Sequence, residues 1–219
     1  MAIERTYIDN TDIDTALAKL AEYLQKKAVP EYFSSVESNE GVISCYTENN
    51  FLIMTIEYPM NSKGVTIYTK NGTSVNINTT SSGQQRFGYA YKCDGGVLFN
   101  IRTTTGDTYP CAMAITKDDT GKTVIIAEYR LVPSASTTSN VPVYVVNPDS
   151  DSITPVRLAR CATPDFSKTV LAPFVVLGTK GNYTPNVFIQ LFEHNTEQGT
   201  LEIDGVKYFS NGLWCVKDE

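Results

Sequence analysis

Apolar residues at Ile13, Leu17, Leu20 and Leu24 recur with the three- and four-residue spacing of one helical face, and the pattern stops at Pro30. Thr11, with Asp14 three residues later, reads as an N-cap pair. The opposite face carries Asp14, Lys19, Glu22 and Lys26, so this helix lies on a surface, against its own sheet or against a partner. From there almost to Glu219 the chain is a series of short strand-like runs separated by Gly, Asn and Asp turns.

Turn chemistry predicts two registers. Between Gly64 and Thr79 a two-residue loop would pair Tyr68 with Val75 and mix polar and apolar side chains on both faces. A three-residue loop, Lys70-Asn71-Gly72 with Gly72 left-handed, pairs Ile67 with Val75 and Val65 with Ile77. Thr66, Tyr68, Ser74 and Asn76 then form a wet face, and this solution is expected. Near the C-terminus, Asp204-Gly205 as a two-residue turn pairs Ile203 with Val206, Glu202 with Lys207 and Leu201 with Tyr208. A bulged turn at Ser210-Asn211-Gly212 would set Tyr208 opposite Trp214 and Val206 opposite Val216. Leu201, Ile203, Val206, Tyr208, Trp214 and Val216 would then share one apolar face.

Arg86 to Cys93 alternates Phe87, Tyr89 and Tyr91 against Gly88 and Ala90, whose small side another layer can approach closely. Val97 to Arg102 and Ala112 to Arg130 read as a hairpin series turning at Thr105-Gly106-Asp107 and Asp118-Asp119-Thr120-Gly121. Thr123 to Ala127 is apolar enough for a central strand. From Pro133 to Pro164 prolines and Ser/Thr clusters suggest a long connection or arm suited to a contact surface, with Val141 to Val146 as an edge strand. The expected fold is mainly β: an antiparallel β-sandwich or barrel-like body with one N-terminal amphipathic helix. Residues 1–30 form the helical segment, and residues 31–219 form a single β-rich domain with an arm at 133–164.

Composition narrows the partners. The 219 residues are 42% hydrophobic and 19% charged, which suits one globular β body. A net charge of -6 with 18 scattered basic residues argues against a nucleic-acid surface. No apolar run is long enough for a signal peptide or a membrane span, so no membrane association is expected. Five widely spaced cysteines without a C-x-x-C pair read as buried thiols rather than a disulfide framework or zinc site.

Candidate chemistry is sparse, and no catalytic, metal or cofactor residue is assigned. His194, the only histidine, follows a strand-like run and reads as a solvated loop residue. Asp149-Ser150-Asp151 lacks the further ligands of a calcium loop, and Gly178-Thr179-Lys180-Gly181 reads as a hairpin tip rather than a phosphate loop. Distant carboxylates converging in one cleft would make a hydrolase, which the sequence does not test. Tyr68, Tyr89 and Tyr91 are candidates for stacking a surface glycan where they face water, but the stripe Phe87, Tyr89 and Tyr91 is expected to fill the space between sheets, because Gly88 and Ala90 cannot supply a core on their side.

The string Asp204-Gly205-Val206-Lys207-Tyr208-Phe209-Ser210-Asn211-Gly212-Leu213-Trp214-Cys215-Val216-Lys217-Asp218 resembles the closing segments of structural proteins from phages and prophages of Gram-positive bacteria. The resemblance covers Ala172 to Glu219 and brings no catalytic residues. It implies a non-enzymatic protein of a head or tail particle, found in the virion or in the bacterial cytoplasm during assembly. Its partners would be copies of itself and other virion proteins. The alternative expectation is a carbohydrate-binding β-sandwich module using exposed tyrosines.

Overall fold

The computed structural model describes residues 4–57, 64–77, 85–103, 111–129, 140–146, 154–159, 171–172, 176–178, 181–183, 188–190, 199–210 and 214–217. In chain order the elements are β1 (Glu4–Tyr7), α1 (Ile13–Ala28), β2 (Ser35–Asn39), β3 (Val42–Thr47), β4 (Phe51–Glu57), β5 (Val65–Tyr68), β6 (Ser74–Ile77), β7 (Gln85–Arg86), β8 (Tyr89–Cys93), β9 (Gly96–Thr103) and β10 (Cys111–Lys117). They continue as β11 (Thr123–Tyr129), β12 (Asn140–Val146), β13 (Thr154–Ala159), β14 (Leu171–Ala172), β15 (Val176–Gly178), β16 (Gly181–Tyr183), β17 (Phe188–Gln190), β18 (Gly199–Ile203), β19 (Val206–Ser210) and β20 (Trp214–Lys217). All pairings are antiparallel. The protein is therefore mainly β with one helix near its N-terminus.

Asp12, not Thr11, caps α1: its carboxylate accepts from the Thr15 backbone N–H at 3.2 Å and from the Thr15 hydroxyl at 2.5 Å. A carboxylate serves better there than a hydroxyl because it also meets the positive end of the helix dipole. Leu17, Leu20, Tyr23 and Leu24 are buried, together with Ala16, Ala21 and Ala28. They join one core with Ile43, Ile53, Met54, Ile56 and Ile67 from the sheet ordered β2-β3-β4-β5-β6, and with Val97, Phe99, Met113, Ile115 and Ile125 from the sheet ordered β1-β8-β9-β10-β11-β12-β13. The arrangement is sandwich-like. Each large apolar side chain buried here contributes on the order of 1.5–3 kcal/mol. The apolar face of α1 is thus spent on its own sheets, leaving the Glu22–Lys26 ion pair outside.

The larger sheet is buried on its second face too, at Leu98, Ala114, Val124 and Ile126. Residues apolar on both sides suit interior strands, and β11 does lie between β10 and β12. The stretch 133–164 supplies β12 and β13, with β13 at the edge, so residues 141–146 form the penultimate strand rather than the edge. The turn before β11 is organised by buried Asp118, whose Oδ1 accepts from Thr120 N and Lys122 N, each at 2.9 Å, and from the Thr120 hydroxyl at 2.7 Å.

Both hairpin registers are as the turns predict. Ile67 pairs with Val75 and Val65 with Ile77, with Gly72 at φ +85°. Thr66, expected in water, is buried. Ile203 pairs with Val206 across Asp204 (φ +52°) and Gly205 (φ +77°). The next register differs: Tyr208 pairs with Lys217 and Phe209 with Val216, while Trp214 pairs with Ile189 of β17. The offset is three residues, an odd number, so it exchanges the faces of β20 relative to β19. The consequence is that buried Phe209, rather than Tyr208, has Val216 as its cross-strand neighbour.

Candidate functional site

The Ile8 N–H donates to the Gly88 carbonyl at 2.9 Å, continuing the β1–β8 ladder beyond Tyr7. Counting back from that bond, Thr6 with Ala90 and Glu4 with Lys92 are hydrogen-bonded pairs. Tyr7 with Tyr89 and Arg5 with Tyr91 are then the non-hydrogen-bonded pairs, in which side chains approach most closely. Strand alternation places Arg5, Tyr7, Tyr89 and Tyr91 on one face of the two-stranded ribbon and Glu4, Thr6, Ala90 and Lys92 on the other.

The second face looks toward α1. Ala90 lies in the shared core, Glu4 pairs with Lys27 of α1, and Lys92 Nζ reaches Glu31 at 2.6 Å and the Tyr32 hydroxyl at 3.1 Å. The Lys92 side chain is only 13% exposed, so these partners keep its charge satisfied. Burial, with Glu31 alongside, pushes the Tyr32 hydroxyl well above its ordinary pKa.

Alternation alone would put Phe87 with the tyrosines. Gly88 adopts φ +64°, a left-handed conformation that breaks the strand, and Phe87 is buried instead in the core that holds Ile8 and Ala90. The Phe87 N–H is held by Asp9 Oδ1 at 2.5 Å. The expected aromatic stripe is therefore divided between two faces.

On the first face the rings run from buried to open. Tyr91, 3% exposed, packs on Phe209 with centroids 4.0 Å apart, which brings the C-terminal sheet, ordered β14-β17-β20-β19-β18, onto this surface. Tyr89, half-buried, lies 6.2 Å from Tyr91 and 4.9 Å from Tyr7, the latter pair tilted by 60°. Tyr7 is 55% exposed. The Arg5 guanidinium sits 3.7 Å from the centre of the Tyr89 ring, a cation–π contact, and makes no ion pair among the described residues.

Of the residues singled out from sequence, Tyr89 and Tyr91 come together here, while Tyr68 lies on β5 of the other sheet, its hydroxyl 3.5 Å from the Thr55 hydroxyl. Arg5 and Tyr7 were not anticipated. The available signal was their two-residue spacing ahead of the helix, which marks a common face only once a strand is recognised. Cys45 and Cys93 are buried thiols outside any disulfide, as expected, and burial pushes the Cys45 thiol up. Gly178 pairs with Gly181, consistent with a hairpin tip. His194, Asp149-Ser150-Asp151 and Thr105-Gly106-Asp107 lie outside the described residues.

Among the described residues no group of three or more His, Cys, Asp or Glu side chains is placed to hold a metal ion, and no helix is long and apolar enough to cross a membrane. Comparisons with protein-family models, with curated proteins and with solved structures gave no match.

Proposed function

We propose that the protein is a non-enzymatic structural protein of a phage or prophage particle, acting through contacts with copies of itself and with neighbouring virion proteins. The carrying observation is the free side of β1. This strand ends the larger sheet, all four of its residues are exposed, and the ladder register turns the backbone N–H and C=O groups of Arg5 and Tyr7 outward. Such an edge accepts a further strand, and the charges of Glu4 and Arg5 restrict which strand fits. The resemblance of the closing segment, 172–219, supports the same reading. Light scattering across a concentration series tests it, with Arg5→Pro as the edge-blocking variant. Pro at this position removes an outward N–H and no ladder bond. Concentration-dependent association that Arg5→Pro abolishes is expected; a strictly monomeric protein with no assembly partner would overturn the proposal.

A second reading, a carbohydrate-binding module, is favoured by the Tyr7, Tyr89 and Arg5 arrangement, in which an exposed ring stands beside a fixed cation. Tyr7→Ala tests this reading, since loss of glycan binding in a folded protein is its expected result.

A further inference from the structure

We propose that the corner formed by Arg5, Tyr7 and Tyr89 binds a carboxylate-bearing sugar unit, with the carboxylate on the Arg5 guanidinium and the apolar face of the sugar ring on Tyr7. The proposal rests on the carbohydrate reading and adds the ligand's charge to it.

Tyr7 and Tyr89 are tilted by 60° with centroids 4.9 Å apart, so they form a corner rather than a flat platform. One side of Tyr89 is already taken by Arg5 at 3.7 Å, which leaves the 55%-exposed Tyr7 as the open stacking surface. A corner of this kind holds one ring rather than a row of rings.

The cation decides the chemistry. The Arg5 guanidinium lies over the Tyr89 ring and makes no ion pair among the described residues, so its N–H donors remain for a ligand. The ring contact holds the guanidinium in place beside Tyr7, and a planar fork of this kind matches a carboxylate in bidentate fashion. The nearest acidic neighbour in sequence, Glu4, projects to the opposite face of the ribbon and pairs with Lys27. A polyanion such as nucleic acid or an acidic peptide needs several cations in a row, which one arginine in a chain of net charge -6 does not supply. One carboxylate beside one apolar ring face fits a uronate unit.

The test titrates the full chain with an oligogalacturonate and with the same oligosaccharide after its carboxylates are reduced to hydroxymethyl groups, at physiological ionic strength. The wild type is expected to bind the carboxylated form at least about tenfold more tightly, the scale of a charged hydrogen-bonded contact. Arg5→Gln is expected to erase the difference, with Arg5→Lys intermediate, and Tyr7→Ala to weaken both forms. Circular dichroism and thermal melting confirm that each variant is folded. Equal binding of the two sugars, or a preference that survives Arg5→Gln, overturns the carboxylate assignment while leaving the carbohydrate reading in place. If neither sugar binds, both fall. Equally tight binding of poly-glutamate would assign the site to general charge attraction and also overturn the proposal.

Discussion

The side-chain oxygen of Gln25 accepts a 3.0 Å hydrogen bond from the backbone N–H of Val36, tying the exposed side of α1 to β2, the edge strand of the smaller sheet. This amide faces away from β3 and would otherwise be available to a strand from another molecule. Gln25→Ala is expected to lower stability by about 0.5–1.5 kcal/mol in urea titrations, and Gln25→Glu, which keeps the acceptor, by less. Equal losses in the two variants would show that the bond contributes nothing.

Tyr23 gives a prediction of opposite sign. Its ring is buried in the core while its hydroxyl has no hydrogen-bond partner among the described residues, and burial raises its pKa far above the ordinary tyrosine value. An unpaired buried hydroxyl is a cost carried by the folded state. Tyr23→Phe should therefore be neutral or stabilising by up to about 1 kcal/mol in urea titrations. A clear loss of stability would reveal a role for the hydroxyl.

Two glycines should respond unequally to alanine, for different reasons. At Gly205, φ is +77° with nothing near the new methyl, so only the left-handed backbone resists, at about 1–2 kcal/mol. At Gly96, where β9 pairs with β10, a Cβ would stand 2.5 Å from the Ile115 carbonyl oxygen. Gly96→Ala must move backbone and is expected to cost about 3 kcal/mol or more, read as a larger fall in urea midpoint.

The joint between the larger sheet and the C-terminal sheet can be weighed through Phe209 and Tyr91. Phe209→Ala should cost about 3–5 kcal/mol as a large core truncation. A double-mutant cycle with Tyr91→Ala should give a coupling of about 0.5–1.5 kcal/mol from the rings at 4.0 Å. Additive effects would show that the rings do not interact.

Acid should loosen the start of α1. The hydrogen bonds from Thr15 hold the Asp12 carboxyl below its unfolded value of 3.8. A depressed folded pKa means that the contribution is complete above the unfolded value and is lost as pH falls through the folded one. Asp12→Asn keeps an acceptor without the charge, so its melting temperature should decline less than that of the wild type as the pH drops below about 4.

What could be read from the chain divides by distance along it. The Gly72 and Asp204-Gly205 hairpins were legible because a turn and its flanking alternation lie within a few residues of each other. The wall beside Tyr89 was half legible: the small side of Ala90 does meet the layer containing α1, but nothing local announces that Gly88 reverses the face of Phe87. The pairing of β19 with β20 was not legible because the contact that buries Phe209, the Tyr91 ring, comes from another sheet. Arg5 and Tyr7 were missed because a four-residue exposed strand has no periodicity to detect, and its partner lies beyond a whole intervening sheet.

That separation sets an order for the nascent chain. Residues 35–77, which hold every described pair of the smaller sheet, emerge from the ribosome before residues 89–92, the strand partners of β1 among the described residues. The first strand made must therefore wait, and its closure across so long a loop comes after local pairing is available to the segments behind it. An edge whose position in the sheet is taken late presents its outward N–H and C=O groups as an ordered strand only once the body beneath it is built.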